Sequence, residues 1–118
     1  MTHANNLQEL RDALRVFAAQ RDWRRFHTPK NLAMALIVEA AELVEHFQWA
    51  TAEESVTLSP EKAEQVEDEV ADVLIYLVEM ADVLGIDLLA AAQRKMHKNA
   101  LKYPPHTLTH APMNHEPL

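Results

Sequence analysis

Apolar residues recur at three- and four-residue spacing along most of the chain, which is typical of amphipathic helices. Four segments have this pattern, with approximate bounds Asn6–Arg21, Pro29–Trp49, Pro60–Leu84 and Asp87–Leu101. The second segment is apolar almost all round, so we expect it to be buried on more than one side. The pattern predicts four long helices.

Residues that begin and end helices stand at the segment boundaries. Thr28-Pro29 and Ser59-Pro60 each place an N-cap residue before a proline at the first helical position. Gly85 suits the left-handed residue that ends a helix, and Asp87 suits the N-cap of the last helix. Residues 50–58 are polar and are predicted to form a loop.

The composition favours helix over sheet. The 118 residues contain one glycine, whereas sheets need many tight turns that depend on glycine. We therefore predict an all-α fold with a four-helix core, in one domain of residues 1–104. Four of the six prolines follow Tyr103, so residues 105–118 are predicted to be a flexible tail.

Some protein classes do not fit this chain. It has no cysteine, which excludes disulfides and thiolate metal sites. No apolar run reaches the roughly 18 residues of a membrane span, and the first residues do not resemble a signal peptide. A cytoplasmic protein without a membrane partner is therefore expected.

The middle of the chain is strongly acidic. Between Asn31 and Gln93 there are fourteen carboxylates and a single basic residue, Lys62. This distribution argues against nucleic-acid binding, which needs Lys and Arg along the contact face. It suits a site for cations, although a solvated acidic face is an equally good explanation of the charge alone.

Two pairs of carboxylates lie inside the apolar helices. Glu39 and Glu42 share one face of the second helix, and Glu69 and Asp72 share one face of the third. No lysine or arginine lies three or four positions from either pair. If the four acids converge, two charges about 6 Å apart repel by roughly 3 kcal/mol at an effective dielectric of about 20. Such a cluster needs a cation, and oxygen ligands favour Mg²⁺, with Mn²⁺ as a substitute.

Two other interpretations of these acids stay open. In the first, the acids all point outward, as in a helical dimer that acts as a binding or regulatory module. A metal-storing di-iron bundle would need Glu-x-x-His pairs, and the chain has none.

The two acidic motifs, Glu39-Ala-Ala-Glu42 and Glu69-Val-Ala-Asp72, resemble the signature of the MazG-like superfamily of all-α nucleoside triphosphate pyrophosphohydrolases. Further stretches are similar to its dCTP pyrophosphatase branch: Phe17–His27, Pro29–Leu32, Glu42–Trp49, Asp72–Val78, Lys95-Met96, Asn99 and Tyr103-Pro104. The resemblance runs from about Leu7 to Pro104. His46 departs from it, since an apolar residue is usual there.

The resemblance implies a Mg²⁺-dependent enzyme that converts a (d)NTP and water into a (d)NMP and pyrophosphate. The substrate would be dCTP or a related pyrimidine deoxynucleotide, in nucleotide-pool housecleaning, with dUTP or phosphoribosyl-ATP as alternatives. Glu39, Glu42, Glu69 and Asp72 would hold the metal. Glu42 would activate the attacking water, with Glu39 or Glu45 as alternatives.

The resemblance also implies a homodimer or homotetramer with sites built from more than one chain. Candidate substrate-binding residues fall into two groups. Trp23, His27, Asn31 and Trp49 are expected around the nucleobase, where aromatic faces stack on bases. Lys95, Asn99 and Tyr103, or Lys102 in place of Tyr103, share one face of the fourth helix and are expected near the phosphates. From the residues alone, an ordinary basic helix end is the better explanation.

Overall fold

The structure is a computed structural model, and it describes residues 3–106. Its α-helices are α1 (Leu7–Gln20), α2 (Pro29–Glu45), α3 (Ala52–Ser55), α4 (Pro60–Leu84) and α5 (Leu88–Lys102). A 3₁₀ helix, Arg24–Phe26, lies between α1 and α2. The described residues contain no strand, so the all-α prediction is confirmed. The predicted tail lies outside the described residues from residue 107 onward.

The predicted capping residues begin and end the helices. The side chains of Thr28 and Ser59 accept hydrogen bonds from backbone N–H groups in the first turns of α2 and α4. The side chain of Asp87 accepts one from the N–H of Ala90 at the start of α5. Gly85 has φ 70°, and its left-handed conformation ends α4 at Leu84 as expected.

The prediction was wrong about the segment between α2 and α4. α2 ends at Glu45 instead of Trp49, because the next N–H groups bond to carbonyls three residues back; that of Phe47, for example, donates to Val44 O at 2.9 Å. The predicted loop contains the short helix α3. A capping box stabilises it: Thr51 Oγ1 accepts from the Glu54 N–H, and the Glu54 carboxylate accepts from the Thr51 N–H.

The end of α1 is fixed by a residue other than glycine. Asp22 has φ 55°, a left-handed conformation that aspartate tolerates better than most residues. The N–H of Asp22 donates to Ala19 O, and that of Trp23 donates to Ala18 O at 2.9 Å. These two bonds form a Schellman motif, which turns the chain sharply toward the 3₁₀ helix.

The chain divides between Ile86 and Asp87 into two units. In the first unit, α4 packs along α2 and also contacts α1. Its buried residues come from these three helices: Ala18, Leu32, Val78 and Ala81. α5 is the helix of the second unit.

An ion pair ties α1 to α4. Arg15 Nε donates to Asp82 Oδ2 at 2.8 Å, and a second guanidinium nitrogen donates to Asp82 Oδ1. The hydrogen bond from Arg15 holds the pKa of Asp82 below its usual range. This bidentate geometry fixes the direction of both side chains.

Much of the apolar surface of α2 is exposed in the single chain. Ile37 is 64% exposed, and Met34, Val38 and Val44 are each more than half exposed. The expectation that this helix is buried on several sides is therefore not met within one chain. Among the described residues, no helix is long and apolar enough to cross a bilayer.

Candidate active site

Three of the four predicted metal ligands meet between α2 and α4. Glu39 projects from α2, while Glu69 and Asp72 project from α4 one turn apart. One carboxylate oxygen from each residue lies within 4.8 Å of the other two. The i, i+3 spacing places the two α4 acids on the face that meets α2, so helix periodicity and packing together form the cluster.

The cluster contains more negative charge than its surroundings stabilise. A hydrogen bond with Glu69, followed by burial and the charge of Glu42, raises the pKa of Glu39 to about 7. Oε2 of Glu69 is buried and has no hydrogen-bond partner among residues 3–106. Either a shared proton or a cation is needed to stabilise these oxygens.

Glu42 lies beside the three-residue cluster and is exposed. Its charge contributes to the raised pKa of Glu39, so the two carboxylates are close. The fourth predicted ligand therefore faces solvent at the edge of the cluster, where water has access.

Tyr76 is a residue of this region that sequence reasoning missed. Burial, followed by the charges of Glu39, Glu79 and Asp72, raises the pKa of its hydroxyl. Tyr76 follows Asp72 by four residues and so lies on the same face of α4. That spacing is visible in the sequence, but Tyr76 belongs to neither acidic motif, and the sequence alone does not distinguish it from the apolar residues around it.

Two of the predicted nucleobase residues line different cavities among residues 3–106. His27 lines a cavity between α1 and α4, whereas Trp49 lines another one with His46 and Lys62. Lys62 Nζ lies 3.3 Å from His46 Nδ1. Trp49 is 89% exposed, so an aromatic face is open to solvent.

Trp23 and Asn31 have contacts within the chain. Trp23 packs edge to face on Phe17, with ring centroids 5.7 Å apart, and is nearly half exposed. Asn31 Nδ2 donates to Phe26 O at 2.9 Å, which holds the 3₁₀ helix against the start of α2. Their predicted contacts with a base stay predictions.

The predicted phosphate-binding residues belong to the second unit. Lys95 and Asn99 lie on α5, and Tyr103 follows its last residue. The Tyr103 N–H donates to Asn99 O at 2.7 Å, which continues the helical spacing. The three residues thus remain on one side of α5, and their role stays a prediction.

Known proteins are similar to this chain over most of its length. Residues 34–109 match the model of the MazG-like family. Over 102 residues the chain is 43% identical to dCTP pyrophosphatase 1 of Homo sapiens and 42% identical to that of Bos taurus. Each alignment covers 85% of this chain, which spans about 60% of the length of these relatives.

A solved structure is also similar. The crystal structure of a pyrophosphatase from Archaeoglobus fulgidus has a TM-score of 0.80 and 44% sequence identity to this chain. The match covers 89% of this chain and 98% of that one.

Proposed function

Because this chain belongs to the MazG-like family, we propose that it is a Mg²⁺-dependent pyrophosphohydrolase that splits a nucleoside triphosphate between its α- and β-phosphates. The observation that carries this proposal is the meeting of Glu39, Glu69 and Asp72 between α2 and α4. The names of its relatives support dCTP, or another pyrimidine deoxynucleotide, as the substrate.

The residues present fit a hard divalent cation. They offer only carboxylate oxygens, and one of those oxygens is buried without a donor. Glu39, Glu69 and Asp72 would hold the metal, with Glu42 beside them. A bound Mg²⁺ orients phosphate groups and neutralises the charge that develops during their hydrolysis.

The chain's own residues supply the remaining chemistry. Glu42, which is exposed, would accept a proton from a water molecule as that water forms a bond to the α-phosphorus. The bond between the α-phosphorus and the bridging oxygen then breaks, and pyrophosphate leaves with the electron pair. Lys95, Asn99 and Tyr103 would bind phosphate oxygens, and Trp23, His27, Asn31 and Trp49 would surround the base.

A homo-oligomer fits the exposed apolar surface of α2. Ile37 and Val44 are each about 60% exposed, and a soluble enzyme rarely leaves such a helix face uncovered. A second copy would cover this face in a homodimer or homotetramer. It would also supply residues to sites that one chain leaves open, such as the region around exposed Trp49.

Product analysis tests the proposed reaction. The protein is incubated with Mg²⁺ and a panel of dNTPs and NTPs, and the products are resolved by ion-exchange chromatography. Monophosphate and pyrophosphate in equal amounts are expected, and chelation of the metal should abolish both.

Two variants of α4 make the test specific. Glu69→Gln removes a cluster charge and should abolish turnover while the helical circular-dichroism signal persists. Glu67→Gln removes an exposed charge on the same helix and should leave the rate unchanged. Wild-type turnover by Glu69→Gln would refute the metal site, and absence of product from every nucleotide would refute the reaction.

A further inference from the structure

A cavity of about 440 Å³ lies between α1, the 3₁₀ helix and α4. Its size falls in the range of small-molecule sites. Part of the lining is apolar and comes from α1 and α4: Leu14, Ala18, Val78 and Val83. The remaining lining is polar or charged: Arg11, Arg24, His27, Glu79 and the Arg15–Asp82 pair. An apolar surface beside polar groups suits a flat heteroaromatic ring with polar edges.

Glu79 is the carboxylate in this cavity with unused hydrogen-bonding capacity. Arg15 and Asp82 bond to each other. The Glu79 carboxylate is half-buried, and no residue between 3 and 106 donates a hydrogen bond to it. Burial raises the pKa of Glu79, and nearby His27 opposes this only in part. A ligand with a hydrogen-bond donor would therefore provide the partner that the Glu79 carboxylate lacks.

The cavity and the acidic cluster lie along one face of α4. Glu79 follows Asp72 by seven residues, which is two turns and about 10 Å along the helix axis. Tyr76 lies between them, close enough to Asp72 and Glu79 for both charges to affect it. A nucleotide separates its base from its α-phosphate by one sugar, which is a spacing of the same order.

We propose that this cavity receives the nucleobase and that Glu79 is a specificity-determining residue that favours a base with an exocyclic amino group. The inference rests on the proposed pyrophosphohydrolase function. An ionised carboxylate only accepts hydrogen bonds, so it pairs with the amino group of cytosine or adenine. A base with an oxo group at the same ring position would place its oxygen against the carboxylate oxygen of Glu79, and two acceptors repel each other.

Matched nucleotide pairs test this inference in the full-length protein with Mg²⁺. dCTP and dUTP differ at the amino or oxo group of the pyrimidine, and dATP and dITP differ in the same way on the purine. For the ring that is turned over, wild-type kcat/KM should favour the amino base. Glu79→Gln should lower that preference at least about ten-fold, because glutamine also donates to an oxo group.

Two further variants control the result. Glu67→Gln, on α4 but outside the cavity, should keep the wild-type ratio. Glu79→Asp keeps the charge but withdraws it by one methylene, and it should lower the ratio by a smaller factor than Glu79→Gln. Circular dichroism checks that each variant is folded.

The outcomes separate the two proposals. An unchanged ratio in Glu79→Gln, or a wild-type enzyme that prefers the oxo base, overturns the inference and leaves the reaction standing. A wild-type protein that hydrolyses none of the four nucleotides overturns the proposed function, and the inference with it.

Discussion

Replacing Glu39 with glutamine should stabilise the metal-free protein at pH 8. Glutamine has the shape of a protonated glutamate and carries no charge into the cluster with Glu69 and Asp72. In the folded chain the pKa of Glu39 rises from its usual value near 4.5 to about 7. The folded state therefore binds more protons than the unfolded state in this interval, and stability falls as pH rises through it.

The size of the effect follows from this pKa. Ionising Glu39 in the folded protein costs at most about 3 kcal/mol. Because the side chain is only half-buried, solvent screening reduces this to about 1–3 kcal/mol. For a domain of this size, that corresponds to a rise in Tm of roughly 5–15 °C in Glu39→Gln at pH 8. Near pH 4.5 the difference between variant and wild type should be small.

Thermal unfolding followed by circular dichroism in EDTA, at pH 5 and pH 8 and at one protein concentration, measures this effect. Glu79 also has a raised pKa, so the difference between Glu39→Gln and wild type is the quantity that isolates Glu39. Mg²⁺ should raise the Tm of wild type at pH 8 and have little effect on the variant. A variant that is less stable than wild type at pH 8 without metal would show that the Glu39 charge is already compensated.

Three other predictions address separate features. Trp49→Ala should leave the free energy of unfolding in urea within about 0.5 kcal/mol of wild type, since the ring is exposed. It should raise KM for the preferred nucleotide about ten-fold, because the Trp49 ring of a second copy is proposed to stack on the base; an unchanged KM would exclude Trp49 from the base site. Ile37→Asp should shift the protein from oligomer to monomer in analytical ultracentrifugation; an unchanged sedimentation coefficient would place the interface elsewhere. Gly85→Ala should lower the free energy of unfolding in urea by about 1–2 kcal/mol, because alanine is strained at φ 70°. No atom would contact the added Cβ, so the strain comes from the backbone alone. An unchanged free energy of unfolding would mean that the end of α4 relaxes.

The sequence predicted helix ends best where the boundary residue is typical of one structural position only. Ser59-Pro60 and Gly85 define α4 at both ends. The end of α2 has no such residue: Phe47 and Trp49 continue the apolar pattern beyond Glu45, although the backbone already turns more tightly. The capping box of Thr51 and Glu54 was readable in the sequence, but the polar composition around it was interpreted as a loop.

The candidate site was predictable as far as helix periodicity extends. Periodicity places Glu69 and Asp72 on one face, and the apolar surroundings of Glu39 predict that it faces another helix. The outward position of Glu42 depends on how α2 crosses α4 and on side-chain torsions, which no single-helix pattern contains. Glu79 was missed because it belongs to no motif, and only the cavity around it distinguishes it from a solvated charge.

α4 is one uninterrupted helix of 25 residues. The helix therefore fixes the axial spacing of Glu69, Asp72 and Glu79, at about 1.5 Å for each residue. A one-residue insertion after Tyr76 would rotate Glu79 by about 100° away from the acidic cluster. A substitution at position 79 does not change this spacing. Under the proposed function, a substitution at position 79 can change base preference while the acidic cluster stays in place, whereas an insertion or deletion in α4 between the two would change their relative orientation.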